Sequence, residues 1–138
     1  MKSRHPFRSA ALRPLAWALA AIAALAGAAA SAHHSTVMFD WGHEKLLEGT
    51  VVSFEWTQPH SWLRVNVPDA EGKAVEWGLE GMSPSWLGRH GWTRNSIKPG
   101  DVVKIAIYPL RDGRNGGFAV RIVFADGHTL EQLPQPGS

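Results

Sequence analysis

The sequence predicts a small all-β protein with one short helix, and three observations support this prediction. Short stretches in which apolar and polar side chains alternate recur along the chain, and they are rich in β-branched and aromatic residues. Clusters of Gly, Pro, Asp and Asn separate these stretches as turns. A single segment carries the signals that begin and end a helix.

Length and composition limit the alternatives. The 138 residues, 44% of them apolar, are enough for one folded domain and too few for two ordinary ones. The chain contains no Cys. Disulfides, thiolate metal sites, cysteine nucleophiles and a lipidated cysteine anchor are therefore excluded.

Residues 1–32 have the pattern of a cleaved signal peptide. Four basic residues and no acid lie within residues 1–14. An uncharged Ala- and Leu-rich run follows from Leu15 to Ala26, and it is shorter than the roughly twenty residues of a membrane-spanning helix. Ala30-Ser31-Ala32 offers a cleavage site before His33. Cleavage there leaves ten basic against twelve acidic residues, a net charge of −2 instead of the +2 of the complete chain. We therefore expect a periplasmic or secreted protein, without a stable membrane anchor and without nucleic acid as a partner.

Three strands are predicted first. Residues 49–56 alternate, with Thr50, Val52, Phe54 and Trp56 on one face. Residues 60–67 and 73–80 follow, and residues 68–72 form the turn between them. The side chains expected on the core face of these two strands are Ser61, Leu63, Val65, Val67, Val75, Trp77 and Leu79.

The helix and two further strands follow. Ser83 is a good N-cap, Pro84 suits the first helical position, and Gly91 ends the helix after barely two turns. A turn at residues 97–101 leads to a fourth strand over residues 103–108. After a glycine-rich turn, the fifth strand covers residues 118–124, and its four alternating apolar side chains are expected on one face: Phe118, Val120, Ile122 and Phe124.

The order of three strands, a helix and two strands is that of the OB-fold, a five-stranded Greek-key barrel. A closed barrel also leaves no exposed strand edges, although an open sandwich of the same strands is an alternative. The predicted organisation is a signal peptide over residues 1–32, an extended N-terminal arm over 33–45, an OB-like barrel over 46–127 and a flexible C-terminal tail over 128–138.

Several short motifs occur together in the mature chain. They are His33-His34-Ser35, Phe39-Asp40, Gly49-Thr50-Val51, Trp56-Thr57-x-Pro59-His60, Trp77-x-x-Glu80, Ser83-Pro84 and Gly91-Trp92-Thr93-Arg94-x-Ser96-x-Lys98-Pro99-Gly100-Asp101. Through these motifs residues 33–127 resemble a family of short exported bacterial proteins of unknown function. That family carries Asn where this chain has Gln58 and Ser85. The resemblance implies the fold and the exported compartment, and it implies no activity.

The strongest candidate for chemistry is the histidine pair at the mature N-terminus. If cleavage follows Ala32, the free amine and the imidazole of His33 can chelate one metal ion, and His34 or another His can complete a nitrogen-rich site. Such ligation suits Cu(II). If cleavage follows Ala30, His33 is the third residue. The amine, two backbone amides and the His33 imidazole can then bind Cu(II) or Ni(II) in a square plane. The alternative is that the two histidines are merely polar and exposed.

His60 and Glu80 are predicted to meet on the outer face of the second and third strands. A short hairpin pairs residues whose numbers sum to about 140, which places His60 beside Glu80 and Arg64 beside Glu76. The pair could be a metal ligand and the group that orients it, or two ligands. A hydrogen bond that only holds the hairpin together explains the pair equally well.

Trp62 and Arg64 share that outer face and are the candidate ligand-binding residues. OB-folds often bind their ligands there, and Trp62 could stack on a sugar, a peptide or an aromatic molecule. We expect a non-catalytic binding module for copper, or for nickel or zinc, through His33, His34, His60 and Glu80. The alternative is a metal-free interaction module that binds a protein or a small ligand on the outer face. No catalytic residues are predicted, and a copper-dependent redox enzyme is a third hypothesis.

Overall fold

The computed structural model describes residues 37–133. A boundary between two units falls after Val37, and the architecture below belongs to the unit that begins at Met38. Its strands and helix are β1 (Lys45–Glu55), β2 (Trp62–Pro68), β3 (Ala74–Glu80), α1 (Pro84–Arg89), β4 (Val102–Pro109), β5 (Gly116–Phe124) and β6 (Thr129–Glu131). The predicted signal peptide, the candidate metal ligands His33 and His34, and residues 134–138 lie outside the described residues. Within the described part of the chain, no helix is long and apolar enough to cross a membrane.

The first five strands form a closed barrel. β1 pairs with both β2 and β4, β2 pairs with β3, and β4 pairs with β5, all antiparallel. A parallel pairing of β3 with β5, from Gly78↔Gly116 to Glu80↔Phe118, closes the ring. The helix lies between the third and fourth strands in chain order. The predicted all-β class and the five-stranded OB-like barrel are confirmed.

The inside of the barrel is filled by branched aliphatic side chains, and every barrel strand contributes some of them. Leu47, Leu63, Val65, Leu79, Val103, Ile105, Ile107 and Ile122 are at most 4% exposed. The helix contributes Leu87, which is fully buried in the same cluster. Ser83 caps this helix by accepting a hydrogen bond from the backbone N–H of Trp86, and Pro84 is the first helical residue, as predicted.

Two β-bulges reverse faces that simple alternation assigns. The register of β1 shifts between Val51 and Ser53. As a result Val51 and Phe54, which are three residues apart, both pack on the core. The alternation of residues 49–56 had put these two side chains on opposite faces. A bulge adds one residue to a strand, so side chains beyond it change sides.

The second bulge lies in β5. The pairing jumps from Ala106↔Arg121 to Ile107↔Ala119, so Ala119 and Ile122 face the core. The prediction that Phe118 shares a face with Ile122 is therefore wrong. Phe118 is instead covered from outside by Phe39 and Trp41, with ring centroids 5.8 and 5.4 Å away.

The N-terminal segment from Met38 packs against the end of β4. Phe39 forms a bridge with Leu110, and its backbone carbonyl accepts a hydrogen bond from Nε of Arg111 at 2.9 Å. Phe39 itself is only 3% exposed. The part of the predicted arm around Phe39 is therefore packed on the barrel, and Lys45 already belongs to β1.

The C-terminal segment differs from the prediction of a flexible tail beginning at residue 128. Residues 129–131 form β6, which pairs with β5 beyond the point where β3 leaves it. The next residue, Gln132, is 4% exposed, and its Oε1 accepts a hydrogen bond from the backbone N–H of Met82 at 2.6 Å. Two indole N–H groups, of Trp86 and Trp92, donate to the backbone carbonyls of Gln132 and Glu131. The prediction of a flexible tail is wrong for residues 129–132. β6 pairs with β5, and the polar side chain of Gln132 finds a hydrogen-bond partner inside the fold.

Candidate functional site

The outer face of β2 and β3 is built as alternation predicts, with a small change of register. The observed pairs are Trp62↔Glu80 and Asn66↔Glu76, so the paired numbers sum to 142 and not to about 140. A shift of two residues keeps every side chain on its face. His60, which precedes β2, therefore still contacts Glu80, but diagonally.

Glu80 is the only buried charged side chain among residues 37–133, with 7% of its surface exposed. Oε1 of Glu80 contacts Nδ1 of His60, whose side chain is 40% exposed. Burial raises the pKa of the Glu80 carboxyl above its usual value, and the charge and hydrogen bond of His60 partly oppose this shift. A carboxyl in such an environment is typical of functional sites, although structural pairs show it too.

The contact through Nδ1 decides what His60 can offer a ligand. An ionised carboxylate accepts hydrogen bonds, so beside it Nδ1 is the donor, and an uncharged ring in that tautomer would present the lone pair of Nε2. Within residues 37–133 no hydrogen-bond partner is found for Nε2. Three other histidines, His43, His90 and His128, also have Nδ1 beside an oxygen. His60 differs from them because the oxygen belongs to a buried carboxyl group.

A cavity of about 320 Å³ lies beside Glu80. Trp62 lines it from β2, Gly78 and Glu80 from β3, and Leu110 and Arg114 from the segment around the β4–β5 loop. The N-terminal segment contributes Met38. This is the strand-two and strand-three face, together with the loop after strand four, that OB-folds use for binding. Sequence reasoning singled out Trp62 and Glu80 but missed Gly78, although a glycine inside a strand is a signal of open space or close approach.

Arg64 lies one outward position further along β2 and is not part of the cavity. Its Nε is 3.3 Å from Oε1 of Glu55, and its Nη1 is 3.2 Å from Oε1 of Glu76. Both partners are about half exposed. Arg64 therefore joins three strands through exposed ion pairs.

The loop before His60 contacts the start of the helix. Nε2 of Gln58 donates to Oγ of Ser85 at 3.0 Å. The resemblance led us to expect Asn at both positions, and the side chains that this chain carries there contact each other. The hydrogen bond ties the loop between β1 and β2 to the first turn of α1.

The metal-ligand prediction is only partly covered by the structure. His33 and His34 lie outside the described residues. Among residues 37–133, no group of three or more His, Cys, Asp or Glu side chains is placed to hold a metal ion. His60 and Glu80 are brought together, but the pair by itself supplies too few ligands for a protein metal site.

The model of a protein family of unknown function matches residues 20–119, which is most of the chain. The chain belongs to the family DUF6152. In this DUF6152 chain the match includes His33 and His34, the His60–Glu80 pair and every residue that lines the cavity, whereas β6 and Gln132 lie beyond it. Searches among curated proteins and among solved structures find no significant match.

Proposed function

We propose that this chain is an exported, non-catalytic binding module that holds one divalent metal ion, with copper as the first candidate and nickel or zinc as alternatives. His33 and His34 supply ligands at the mature N-terminus, and His60 supplies a further nitrogen from the barrel. One observation carries the proposal: the buried Glu80 contacts Nδ1 of His60, and Nε2 of the same ring has no hydrogen-bond partner among residues 37–133. A carboxylate that fixes the ring of a histidine is a common arrangement behind metal-binding imidazoles.

The terminal part of the proposal rests on the chemistry of the new N-terminus. Cleavage before His33 creates an amine next to an imidazole, and both are good ligands for Cu(II). Cleavage after Ala30 instead puts His33 third, where the amine, two amides and one imidazole can surround Cu(II) or Ni(II). Both cuts leave a terminus that can bind metal, and they differ in the geometry that spectroscopy would report.

The experiment starts with the protein purified after native export. Mass spectrometry under denaturing conditions reads the N-terminus, native mass spectrometry weighs the bound metal, and copper titration gives the affinity. We expect a chain that begins at His33 and binds one copper ion. Replacement of both His33 and His34 by Ala should abolish tight binding, and His60→Ala should weaken it.

Two further variants separate the roles on the barrel. Glu80→Gln should weaken copper binding by about 10–100-fold, as expected for a group that orients a ligand. His128→Ala is the matched control, because His128 is also exposed and paired with a carboxylate through Nδ1. A correctly processed chain that binds neither copper, nickel nor zinc would contradict the proposal.

A second candidate function is a metal-free interaction module that uses the outer face of β2 and β3. The cavity beside Trp62 supports this candidate, because a half-exposed indole next to a buried carboxyl is a typical binding surface. Arg64 supports it less, since two carboxylates already pair with its guanidinium. Binding of a protein or small ligand that survives replacement of His33 and His34 would favour this candidate.

A further inference from the structure

The cavity beside Glu80 exists because residue 78 has no side chain. Gly78 lies in β3 between Glu76 and Glu80 on the outer face, and no atom lies within 4 Å of the position that its Cβ would occupy. Its φ is outside the left-handed region, so the backbone does not require glycine here. The absence of a side chain therefore opens space and relieves no strain.

The walls of this space are mostly apolar, and its polar lining residues are Glu80, Arg114 and Asn115. Met38, Trp62 and Leu110 line the cavity, and the Glu80 side chain, 9% exposed, lines it as well. One oxygen of Glu80 contacts His60, and within residues 37–133 no hydrogen bond to the second oxygen is found. A ligand could therefore bury an apolar body against the walls and donate a hydrogen bond to the free oxygen.

The charges around the cavity favour a cation. The surrounding face carries three carboxyl groups, of Glu55, Glu76 and Glu80, against the single guanidinium of Arg64. Arg114, which lines the cavity itself, is paired with Asp112 at 2.7 Å. A ligand ammonium would offset the buried charge of Glu80, and an indole face attracts cations.

We propose that this cavity binds a small organic ammonium compound, with the ammonium group on Glu80 and an apolar or aromatic body between Trp62 and Leu110. The volume of about 320 Å³ is at the low end of the range for small-molecule sites, which is about 300–1,000 Å³. The site uses only residues of the barrel and of the segment from Met38. It does not depend on the terminal histidines or on a metal ion.

The test uses the processed full-length chain with all metal removed. The probes are 2-phenylethylamine and its neutral analogue 2-phenylethanol, and binding is measured by calorimetry and by the NMR shift of the Trp62 indole N–H. We expect the amine to bind at least tenfold more tightly than the alcohol. Glu80→Gln should remove this preference, because the carboxamide carries no charge.

Gly78→Val should reduce amine binding at least tenfold by filling the cavity, and valine suits a strand. Gly88→Val is the matched control, because Gly88 also has open space where its Cβ would lie and is not part of the cavity. Amine binding that Gly78→Val leaves unchanged, equal binding of the alcohol, or no binding of the amine by the folded wild-type chain would each overturn the proposal. Copper titration of Gly78→Val keeps the two proposals apart, since that variant retains every proposed metal ligand.

Discussion

Gln132→Ala tests whether the segment after β5 is part of the folded domain. The substitution removes the acceptor of the Met82 N–H, a hydrogen bond of 2.6 Å in a part-buried setting. An unpaired buried donor costs about 1–3 kcal/mol, so we expect the free energy of unfolding to fall by about 2 kcal/mol. For a domain of this size, that loss lowers the midpoint of thermal unfolding by roughly 10 °C.

The assay is thermal and urea unfolding of wild type, Gln132→Ala and the neighbouring control Glu131→Ala. Glu131 is exposed, and its contact with Trp92 uses the backbone carbonyl, which the substitution keeps. We expect this control to stay within about 0.5 kcal/mol of wild type. If Gln132→Ala is as stable as Glu131→Ala, the hydrogen bond between Gln132 and Met82 does not stabilise the fold, and the reasoning is refuted.

Three further predictions follow from single positions. Gly81→Ala would put a Cβ 2.5 Å from Oγ of Ser61, so we expect the free energy of unfolding, measured with urea, to fall by about 1–3 kcal/mol. As a control, Gly88→Ala in the helix meets no atom within 4 Å and should raise the free energy of unfolding by about 0.5–1 kcal/mol. The pKa of Glu80 is raised in the folded state, so its carboxyl stabilises the fold most when protonated, and that contribution is lost as the pH rises above 4.5 through the folded-state pKa. The stability of wild type relative to Glu80→Gln should therefore fall from pH 4 to pH 7, and a constant difference would contradict this reasoning. Arg64→Ala should change the free energy of unfolding very little, because both of its ion pairs are exposed and screened by solvent, and any loss should shrink at high salt in the same assay.

Local patterns were sufficient to predict most of the elements. The second strand was predicted over 60–67 and is observed as Trp62–Pro68, and the third was predicted over 73–80 and is observed as Ala74–Glu80. The helix was predicted from Ser83, and Ser83 is its N-cap. These signals are contained in neighbouring residues, through alternation in strands and hydrogen bonding at a helix start. The outward position of Trp62 follows from the same alternation and is confirmed.

Predictions that depended on pairing between distant residues were less accurate. The bulges in β1 and β5 reversed the faces of Val51 and Phe118, because an inserted residue is visible only when both strands of a pair are known. β6 was missed because three residues carry too little periodicity to stand out, and its partners lie in β5 and in the segment after β3. The His60–Glu80 contact was predicted from a register that was wrong by two residues, and it survived because the face was unchanged.

The sequence by itself determined the all-β class, the order of the elements and the outward face of β2, because each depends on side chains within a few residues of one another. Only the tertiary structure decided that Glu80 is buried and that Gly78 opens a cavity beside it. Burial and empty space are properties of all the chain segments that surround a residue. Here those segments are β2, β3, the region around the β4–β5 loop and the N-terminal segment from Met38, which the fold brings together from distant parts of the chain.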